Sequence, residues 1–337
     1  MTAGRTLTER ELNRALLARQ LLLERASSPI PKAIERIGGL QTQYAPSAYI
    51  GLWSRVDGFG RDELTRALER RSVIQGTLMR VTIHMVSAPD YWPMTEAIRR
   101  ARREWWLRAT RRRAVERDAV EVAERVRALL SDGPRRREEL MKELGVDSTT
   151  WNGVGMWLDL VRVPPSGTWD RRSADLYGLA EDWLGPSEAT QEQGIELLIR
   201  RYLGGFGPAS RKDLASWAGL PLAALAPAID RMKLRRFVDA DGGELLARRC
   251  PIPARSRRSG SYRRGTRPCW CTRAERRSCP SGSDRASSTP RPHTRDRRSW
   301  STGRWPGRGA WSGAASISSP SSGCRGRRSE RSKTRRI

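Results

Sequence analysis

Two glutamines, Gln41 and Gln43, lie in the segment Gly39–Arg55 and have residue types and a spacing that suit chemistry. Side chains at positions i and i+2 diverge on a helix, but they share a face where the backbone is extended. Because the preceding helix is predicted to end near Leu40 and to enter a loop broken by Pro46, the two amides are expected to converge. An amide oxygen accepts a hydrogen bond from water, although it is not a strong base. Surface glutamines are common, so the spacing alone leaves their role open.

Other polar residues that could bind a ligand lie further along the chain. His84 is the one histidine before residue 250, and it lies on Thr77–Val86, a β-branched and partly alternating segment typical of a strand. A lone histidine on a strand is either structural or a ligand contact. The densest basic run is Arg99–Arg113, whose arginines would cover more than one face of a helix. Some of them are expected to contact phosphate and the others to be solvated.

The charge is unevenly distributed. The chain carries +27, of which the segment from Cys250 onward supplies +19, with 23 Lys and Arg against 4 Asp and Glu. A basic balance favours a polyanionic partner such as nucleic acid. All five cysteines fall in the same segment, and their spacing lacks a paired C-x-x-C, so we predict no metal site and no cofactor.

Residues 250–337 have the composition of a disordered basic tail of low complexity. They contain no Leu, Val, Met or Phe, and such a segment buries too little apolar surface to offset its ordering entropy. Three origins are open: a nucleic-acid-binding tail, a linker, or a GC-rich reading frame translated out of register. We favour the third, because scattered Trp and Cys are unusual in basic tails. In addition, GC-rich codons for Arg258–Arg267 permit an apolar strand in the neighbouring frame.

The preceding part of the chain is predicted to be mainly helical. Thr8 and Glu11 have the spacing of a capping box, which places the start of a first helix. Pro31 suits the first turn of a second helix, and Asp62–Arg70 forms a third. The strand around His84 comes next. Three helices followed by strands are the order of a winged helix.

An internal repeat indicates two further units of this kind. Gly133-Pro134, Glu139-Leu140 and Gly145 recur 74 residues later as Gly207-Pro208, Asp213-Leu214 and Gly219. Each copy lies between helices, and the closing glycine supplies a left-handed helix cap. Each copy is then predicted to end in a strand and hairpin, Val161–Trp169 and Arg236–Leu245. An alternative is that these units are helical packing modules with no role in DNA binding.

The predicted fold class is mainly α with small β wings, as tandem winged helix-turn-helix domains followed by a disordered tail. The predicted domains are winged-helix 1 with the Gln-x-Gln motif at 1–110, winged-helix 2 at 111–187, an incomplete winged-helix 3 at 188–249, and the tail at 250–337.

Several segments closely resemble the AlkZ/YcaQ-type winged-helix DNA glycosylases of interstrand crosslink repair. They are Gly39–Gln43, Gly51–Arg55, Arg80–Val86, Asp90–Trp92 and the repeat Gly207–Gly219. The resemblance covers nearly all of residues 5–247 and stops where the tail begins. Family members continue with an apolar β-rich segment, to which the alternate frame is similar.

The resemblance implies a chemical role for the glutamines. In this family a Gln-x-Gln or Gln-x-Asp pair lies at the catalytic centre, so Gln41 and Gln43 would hold the nucleophilic water beside the deoxyribose. An N7-alkylated guanine is cationic and already a good leaving group, so the enzyme must mainly position water and stabilise an oxocarbenium-like sugar. Glutamine at position 43 resembles the branch associated with resistance to crosslinkers. We further predict DNA contacts from Arg55, Arg80, Thr82, His84, Arg99, Arg102 and Arg103.

The predicted function is thus that of a monofunctional DNA glycosylase, a hydrolase acting on N7-alkylguanine or on interstrand crosslinks. Its predicted partner is double-stranded DNA that is alkylated or crosslinked. The sequence shows no apolar run long enough for a membrane span, and we expect a monomer in the cytoplasm. Two alternatives are open: a non-catalytic DNA-binding regulator, which would usually dimerise on a palindrome, and an inactive truncated remnant.

Overall fold

The computed structural model describes residues 5–110 and 116–248. As predicted, this part of the chain is mainly helical with a small amount of antiparallel sheet. The helices are α1 Glu9–Arg19, α2 Ile30–Ile37, α3 Pro46–Trp53, α4 Arg61–Glu69, α5 Ala88–Thr110, α6 Glu116–Leu130, α7 Arg137–Leu144, α8 Ser148–Trp157, α9 Ala180–Leu184, α10 Gln191–Gly205, α11 Arg211–Ala218 and α12 Leu222–Arg231. The strands are β1 Leu40–Gln41, β2 Val73–Thr77, β3 Ile83–Ser87, β4 Arg135–Arg136, β5 Leu160–Arg162, β6 Leu176–Leu179, β7 Arg235–Val238 and β8 Glu244–Ala247.

The first helices agree with their local sequence signals, with one exception. Thr8 caps α1 in the predicted capping box with Glu11, and α2 carries proline in its first turn and ends at Gly38 in the left-handed conformation. The segment after Pro46 was predicted to be a loop, but it forms α3. A proline lacks the N–H that the first turn of a helix would leave unpaired anyway, so Pro46 starts this helix instead of preventing one.

Six strands form one antiparallel sheet in the order β1-β3-β2-β5-β6-β4. Strand β2 pairs with β3 on one side and with β5 on the other, through Gln75 opposite Arg162 and Gly76 opposite Val161. Strands of the first and second predicted units therefore share a sheet instead of standing as separate wings. The division into three winged-helix domains stays a prediction.

The repeat is visible in the structure. Gly145 after α7 and Gly219 after α11 both adopt the predicted left-handed cap. In the second copy β7 and β8 form the predicted hairpin. In the first copy β5 ends at Arg162 and pairs with β6, which begins only at Leu176, so the hairpin predicted within Val161–Trp169 is wrong. The chain enters Pro164-Pro165 there, and proline cannot donate to a strand ladder.

The largest apolar cluster lies between the sheet, α5, α10 and the last two helices. A buried ionic link reinforces this packing. Arg201 on α10 binds both carboxylate oxygens of Asp90 on α5 at 2.7 Å and reaches Glu35 on α2 at 3.1 Å. Burial raises the pKa of Asp90, and the opposing pull of Arg201 favours the charged carboxylate. The helix that leads into the glutamine segment is thus fixed to the two long helices.

Two sets of predictions fall on residues outside the described ranges. These are the tail at 250–337 with its cysteines, and Arg111 to Arg113 at the end of the basic run. Over the described residues, none of the helices has both the length and the apolar character needed to cross a membrane. The same ranges contain no cluster of three or more His, Cys, Asp or Glu that could hold a metal ion.

Candidate active site

The two glutamines lie at the edge of the sheet. Strand β1 pairs with β3 through Leu40 opposite Met85 and Gln41 opposite His84, and Thr42 continues the pairing with its N–H 2.8 Å from the Ile83 carbonyl. The extended backbone sends alternate side chains to opposite faces. Thr42 is accordingly buried, whereas Gln41 and Gln43 on either side of it are exposed. Both amides therefore lie on the same, solvent-facing side of the chain.

Each amide oxygen is held by one protein donor. The Oε1 of Gln41 accepts a hydrogen bond from Nη2 of Arg80 at 3.0 Å. The Oε1 of Gln43 accepts one from the backbone N–H of Ile83, also at 3.0 Å. These bonds fix which way each amide faces, since a reversed amide would place two donors against each other. A carbonyl oxygen has two lone pairs, so each glutamine retains one for water.

The buried residue between them has its own support. The Oγ1 of Thr42 accepts a hydrogen bond of 3.3 Å from Nε2 of Gln75 on β2, and Gln75 is only 1% exposed. The loop at Gly167 packs directly against Gln75. A side-chain carbon added at Gly167 would lie 2.0 Å from the Gln75 Oε1. A glycine is required there for a second reason, because its φ is +73°. Gln75 therefore packs between this loop and the glutamine segment.

Arg80 connects the site to the second copy of the repeat. Its Nη1 donates to the Trp217 carbonyl on α11 at 2.5 Å, while its Nη2 holds Gln41. The residue has a φ of +55°, which is unusual for any residue but glycine. Glycine at position 219 allows the end of α11 to approach Arg80 closely, because a side-chain carbon there would lie 3.2 Å from the backbone nitrogen of Arg80. Partial burial lowers the pKa of Arg80, yet an arginine stays charged at neutral pH.

His84 lies opposite Gln41 on the neighbouring strand and is buried, with 3% of its surface exposed. Its Nδ1 lies 3.0 Å from the Thr82 carbonyl, to which a protonated Nδ1 donates, and 3.4 Å from the Thr82 hydroxyl. Burial, together with the charge of Arg80, lowers the pKa of His84 to about 4 although the Thr82 carbonyl opposes the shift. The ring is therefore neutral at pH 7. The ring is enclosed in this conformation, which disfavours the DNA contact predicted for His84, and that contact stays a prediction.

A comparison with protein families shows which family the chain belongs to. The model of a family described as "DNA glycosylase AlkZ-like" matches residues 34–260, well over half of the chain. The chain belongs to the AlkZ-like DNA glycosylase family. Among solved structures it is similar to the Streptomyces sahachiroi DNA glycosylase AlkZ, with a TM-score of 0.61 and 19% identity, over 72% of this chain and 70% of that one. At this identity the likeness shows a shared fold. The search among curated proteins finds no match.

Three of the arginines predicted to contact DNA make bonds within the protein in this structure. Arg102 is 5% exposed and donates to Asp159 at 2.5 Å, and Arg99 binds the other Asp159 oxygen at 2.7 Å. Burial by itself would raise the pKa of Asp159, but the two guanidinium charges hold it below its ordinary value. Arg103 donates to the Met156 carbonyl at 2.9 Å. The three side chains thus join α5 to the end of α8, and their contacts with DNA stay predictions.

The remaining two predicted contacts also make local bonds. Arg55 follows α3 and donates to the Gly51 carbonyl at 2.9 Å and to the Ser54 hydroxyl at 3.0 Å, so it closes the end of its own helix. Thr82 donates to the Met79 carbonyl at 3.0 Å and thereby stabilises the turn that carries Arg80. Of the seven predicted DNA contacts, Arg80 is the one whose side chain the structure brings directly to a glutamine of the motif.

Sequence reasoning missed residues that surround the motif. Gln75 was detectable as a polar residue within an apolar strand. Tyr44, directly after the motif, is 54% exposed, and its hydroxyl accepts a bond of 3.2 Å from Arg172. On α3, Ile50 and Trp53 are more than half exposed. Their spacing of three residues places them on one helix face, and that apolar face beside the glutamines was the available signal.

Proposed function

We propose that this AlkZ-like protein hydrolyses the N-glycosidic bond of N7-alkylated guanine in double-stranded DNA and unhooks interstrand crosslinks formed through such guanines. The observation that carries the proposal is the pair of exposed glutamines on one side of an edge strand, each with its amide oxygen fixed by a donor and with one acceptor position left. Family membership independently supports a DNA glycosylase role in repair.

In the proposed reaction, Gln41 and Gln43 hold one water molecule beside the deoxyribose. The water oxygen bonds to C1′, the bond from C1′ to N9 breaks, and its electron pair neutralises the cationic base. The proton of the water passes to solvent. An amide oxygen is too weak a base to activate water against a neutral guanine, so the site acts where the leaving group is already good. This restraint would protect undamaged DNA.

Arg80 has a positioning role in this scheme. By donating to Gln41 it keeps the amide oxygen directed, and by donating to Trp217 it makes that position depend on α11. A preorganised polar group stabilises the transition state at little free-energy cost, because it does not have to reorient during the reaction. We therefore assign Arg80 to the orientation of Gln41 and propose that it also lies close to the DNA backbone.

We also propose that α7–α8 and α11–α12 act as helix-turn-helix elements, with β5–β6 and β7–β8 as wings, and that the chain binds duplex DNA as a monomer. The shared left-handed glycine caps support a common architecture for the two helix pairs. One chain carries both the glutamine pair and the repeated elements, so a second copy is not needed to complete the site.

The test uses duplexes that differ in one lesion. We expect the full chain to release N7-methylguanine under single-turnover conditions, to leave an unmodified duplex intact, and to convert a guanine–guanine N7 crosslink to separated strands. The control variant is Gln191→Ala, which removes an exposed glutamine at the start of α10 and should have no effect. Binding of all three duplexes without release of any base would instead favour a DNA-binding regulator.

A further inference from the structure

A cavity whose lining does not include the two glutamines lies elsewhere in the described part of the chain. It is a cavity of about 380 Å³ between α5, α8 and the end of the central strands. Ile83, whose N–H holds Gln43, is part of its lining. The walls are rich in aromatic side chains, with Trp106, Trp151 and Tyr177 buried and Trp105 half exposed at 50%. A cavity of this size and composition can enclose a planar ring with its attached groups.

Arg162 on β5 lines this cavity and has no counter-charge among the described residues. The residue is 7% exposed, and its guanidinium lies 5.1 Å from the centre of the Tyr177 ring. Its Nη2 donates to the Thr77 hydroxyl at 3.0 Å. Neither Nε nor Nη1 has a hydrogen-bond partner within the described ranges, and the ion pairs found there do not include Arg162.

The charges around the cavity do not balance. Its described lining contains two arginines, Arg102 and Arg162, and no Asp or Glu. The nearby Asp159 is already shared between Arg99 and Arg102, and the Nε of Arg102 also lacks a partner among the described residues. A buried guanidinium without an anion is costly, because desolvation is not compensated by a nearby opposite charge. The cavity thus has the electrostatics of an anion site.

We propose that this cavity binds a phosphate group, with the attached nucleoside against the aromatic walls. Guanidinium groups present N–H donors in a planar arrangement that matches phosphate oxygens. Aromatic rings stack on any nucleobase, so the walls favour a nucleotide over a bare carboxylate. The phosphate could come from a strand of bound DNA or from a free nucleotide. The site does not depend on the two glutamines, so it can exist whether or not the proposed hydrolysis occurs.

The first experiment compares the thermal unfolding of the full chain and Arg162→Met in phosphate and in sodium chloride of equal ionic strength. We expect the wild-type midpoint to rise by roughly 3–6 °C at a phosphate concentration about ten times the dissociation constant. Arg162→Met should be more stable than wild type without phosphate, since the unpaired charge is gone, and it should lose most of the phosphate response. General effects of phosphate as a salt, and binding to the basic tail, are common to both proteins.

The control is Arg200→Met, which removes an exposed arginine on α10 and should keep the full response. If Arg162→Met does not fold, Trp105→Ala at the exposed mouth tests the walls: adenosine monophosphate should bind at least fivefold more weakly while inorganic phosphate still stabilises. A wild-type protein that phosphate does not stabilise beyond chloride overturns the proposal. So does an Arg162→Met variant that keeps the wild-type response.

A second measurement distinguishes the sources of phosphate. Adenosine monophosphate should alter the tryptophan fluorescence of the wild type, because three tryptophans line the cavity. If a duplex without terminal phosphates displaces the nucleotide, a DNA strand occupies the site. If both bind together, the site takes a free nucleotide. Either outcome supports the phosphate site, whereas a nucleotide response that Arg162→Met retains in full contradicts it.

Discussion

Two polar regions of this protein differ in their exposure to solvent. The glutamine pair at β1 faces solvent, whereas Thr42 between the two residues is buried. The arginine-rich end of α5 would be expected to face solvent. Arg102 is nevertheless buried, and Arg99 donates hydrogen bonds to Asp159 and Glu96. The comparison teaches that strand alternation is a better guide to exposure here than local charge. A dense basic run can serve internal packing if one carboxylate lies in the right place.

The largest expected effect concerns the arginines of α5 that pair with Asp159. Asp159→Ala should destabilise the fold by about 3–5 kcal/mol, because it leaves Arg99 and Arg102 without their shared anion. Urea unfolding monitored by circular dichroism would measure it. Glu104→Ala is the matched control: its pair with Arg100 is largely exposed, and its removal should cost less than about 1 kcal/mol. Equal costs for the two variants would remove the distinction between buried and exposed arginines.

The second effect tests whether the exposed glutamines depend on buried support. Gly167→Ala should destabilise the protein by about 1–3 kcal/mol and slow base excision, because the new carbon displaces Gln75 and with it Thr42. Gly58→Ala has a similar positive φ but meets nothing within 4 Å, so it isolates the backbone strain. We expect it to cost on the order of 1 kcal/mol and to leave excision unchanged. If Gly167→Ala also left excision unchanged, the support from Gln75 would be dispensable.

A smaller effect is expected from the arginine that joins the glutamine segment to α11. Arg80→Met should lower the single-turnover rate roughly tenfold by releasing Gln41, with little loss of stability because the side chain is exposed. Arg80→Lys keeps the charge but cannot donate to Gln41 and Trp217 from two nitrogens of a planar group, so it should recover DNA affinity more than rate. Full recovery of the rate in Arg80→Lys would contradict the positioning role.

The smallest effect concerns His84. Its folded pKa of about 4 lies below the unfolded value near 6.5. The unfolded chain therefore binds more protons in that interval, and the contribution of His84 to stability is complete above about pH 6.5 and is lost as the pH falls toward 4. At pH 5.5 the loss should be on the order of 1 kcal/mol. Urea unfolding of wild type and His84→Asn as a function of pH would check this, and parallel pH profiles would refute it.

Local signals in the sequence predicted much of the fold. Thr8 with Glu11, Pro31, Gly145 and Gly219 all act within one turn of where they stand, so the ends of their helices could be predicted. The exposure of the glutamines agrees with the period of an extended backbone. The helix after Pro46 was missed because proline was taken as an interruption.

Contacts between distant parts of the chain could not be predicted. Asp159 lies 57 residues after Arg102, and Trp217 lies 137 residues after Arg80. The strands β2 and β5 are likewise far apart in the sequence, although they pair in the sheet. Only the folded arrangement shows which arginine gains a carboxylate, so the internal ion pairs of Arg99 and Arg102 were beyond local sequence reasoning.

The central claim is that the two glutamines act on the chemical step and contribute little to DNA affinity. The most direct measurement is single-turnover excision of N7-methylguanine by wild type, Gln41→Ala and Gln43→Ala, with duplex affinity measured at the same salt concentration. Each substitution should slow excision on the order of tenfold to a thousandfold while the dissociation constant changes less than about threefold. Wild-type rates in both variants, or losses of affinity that match the losses of rate, would contradict the claim.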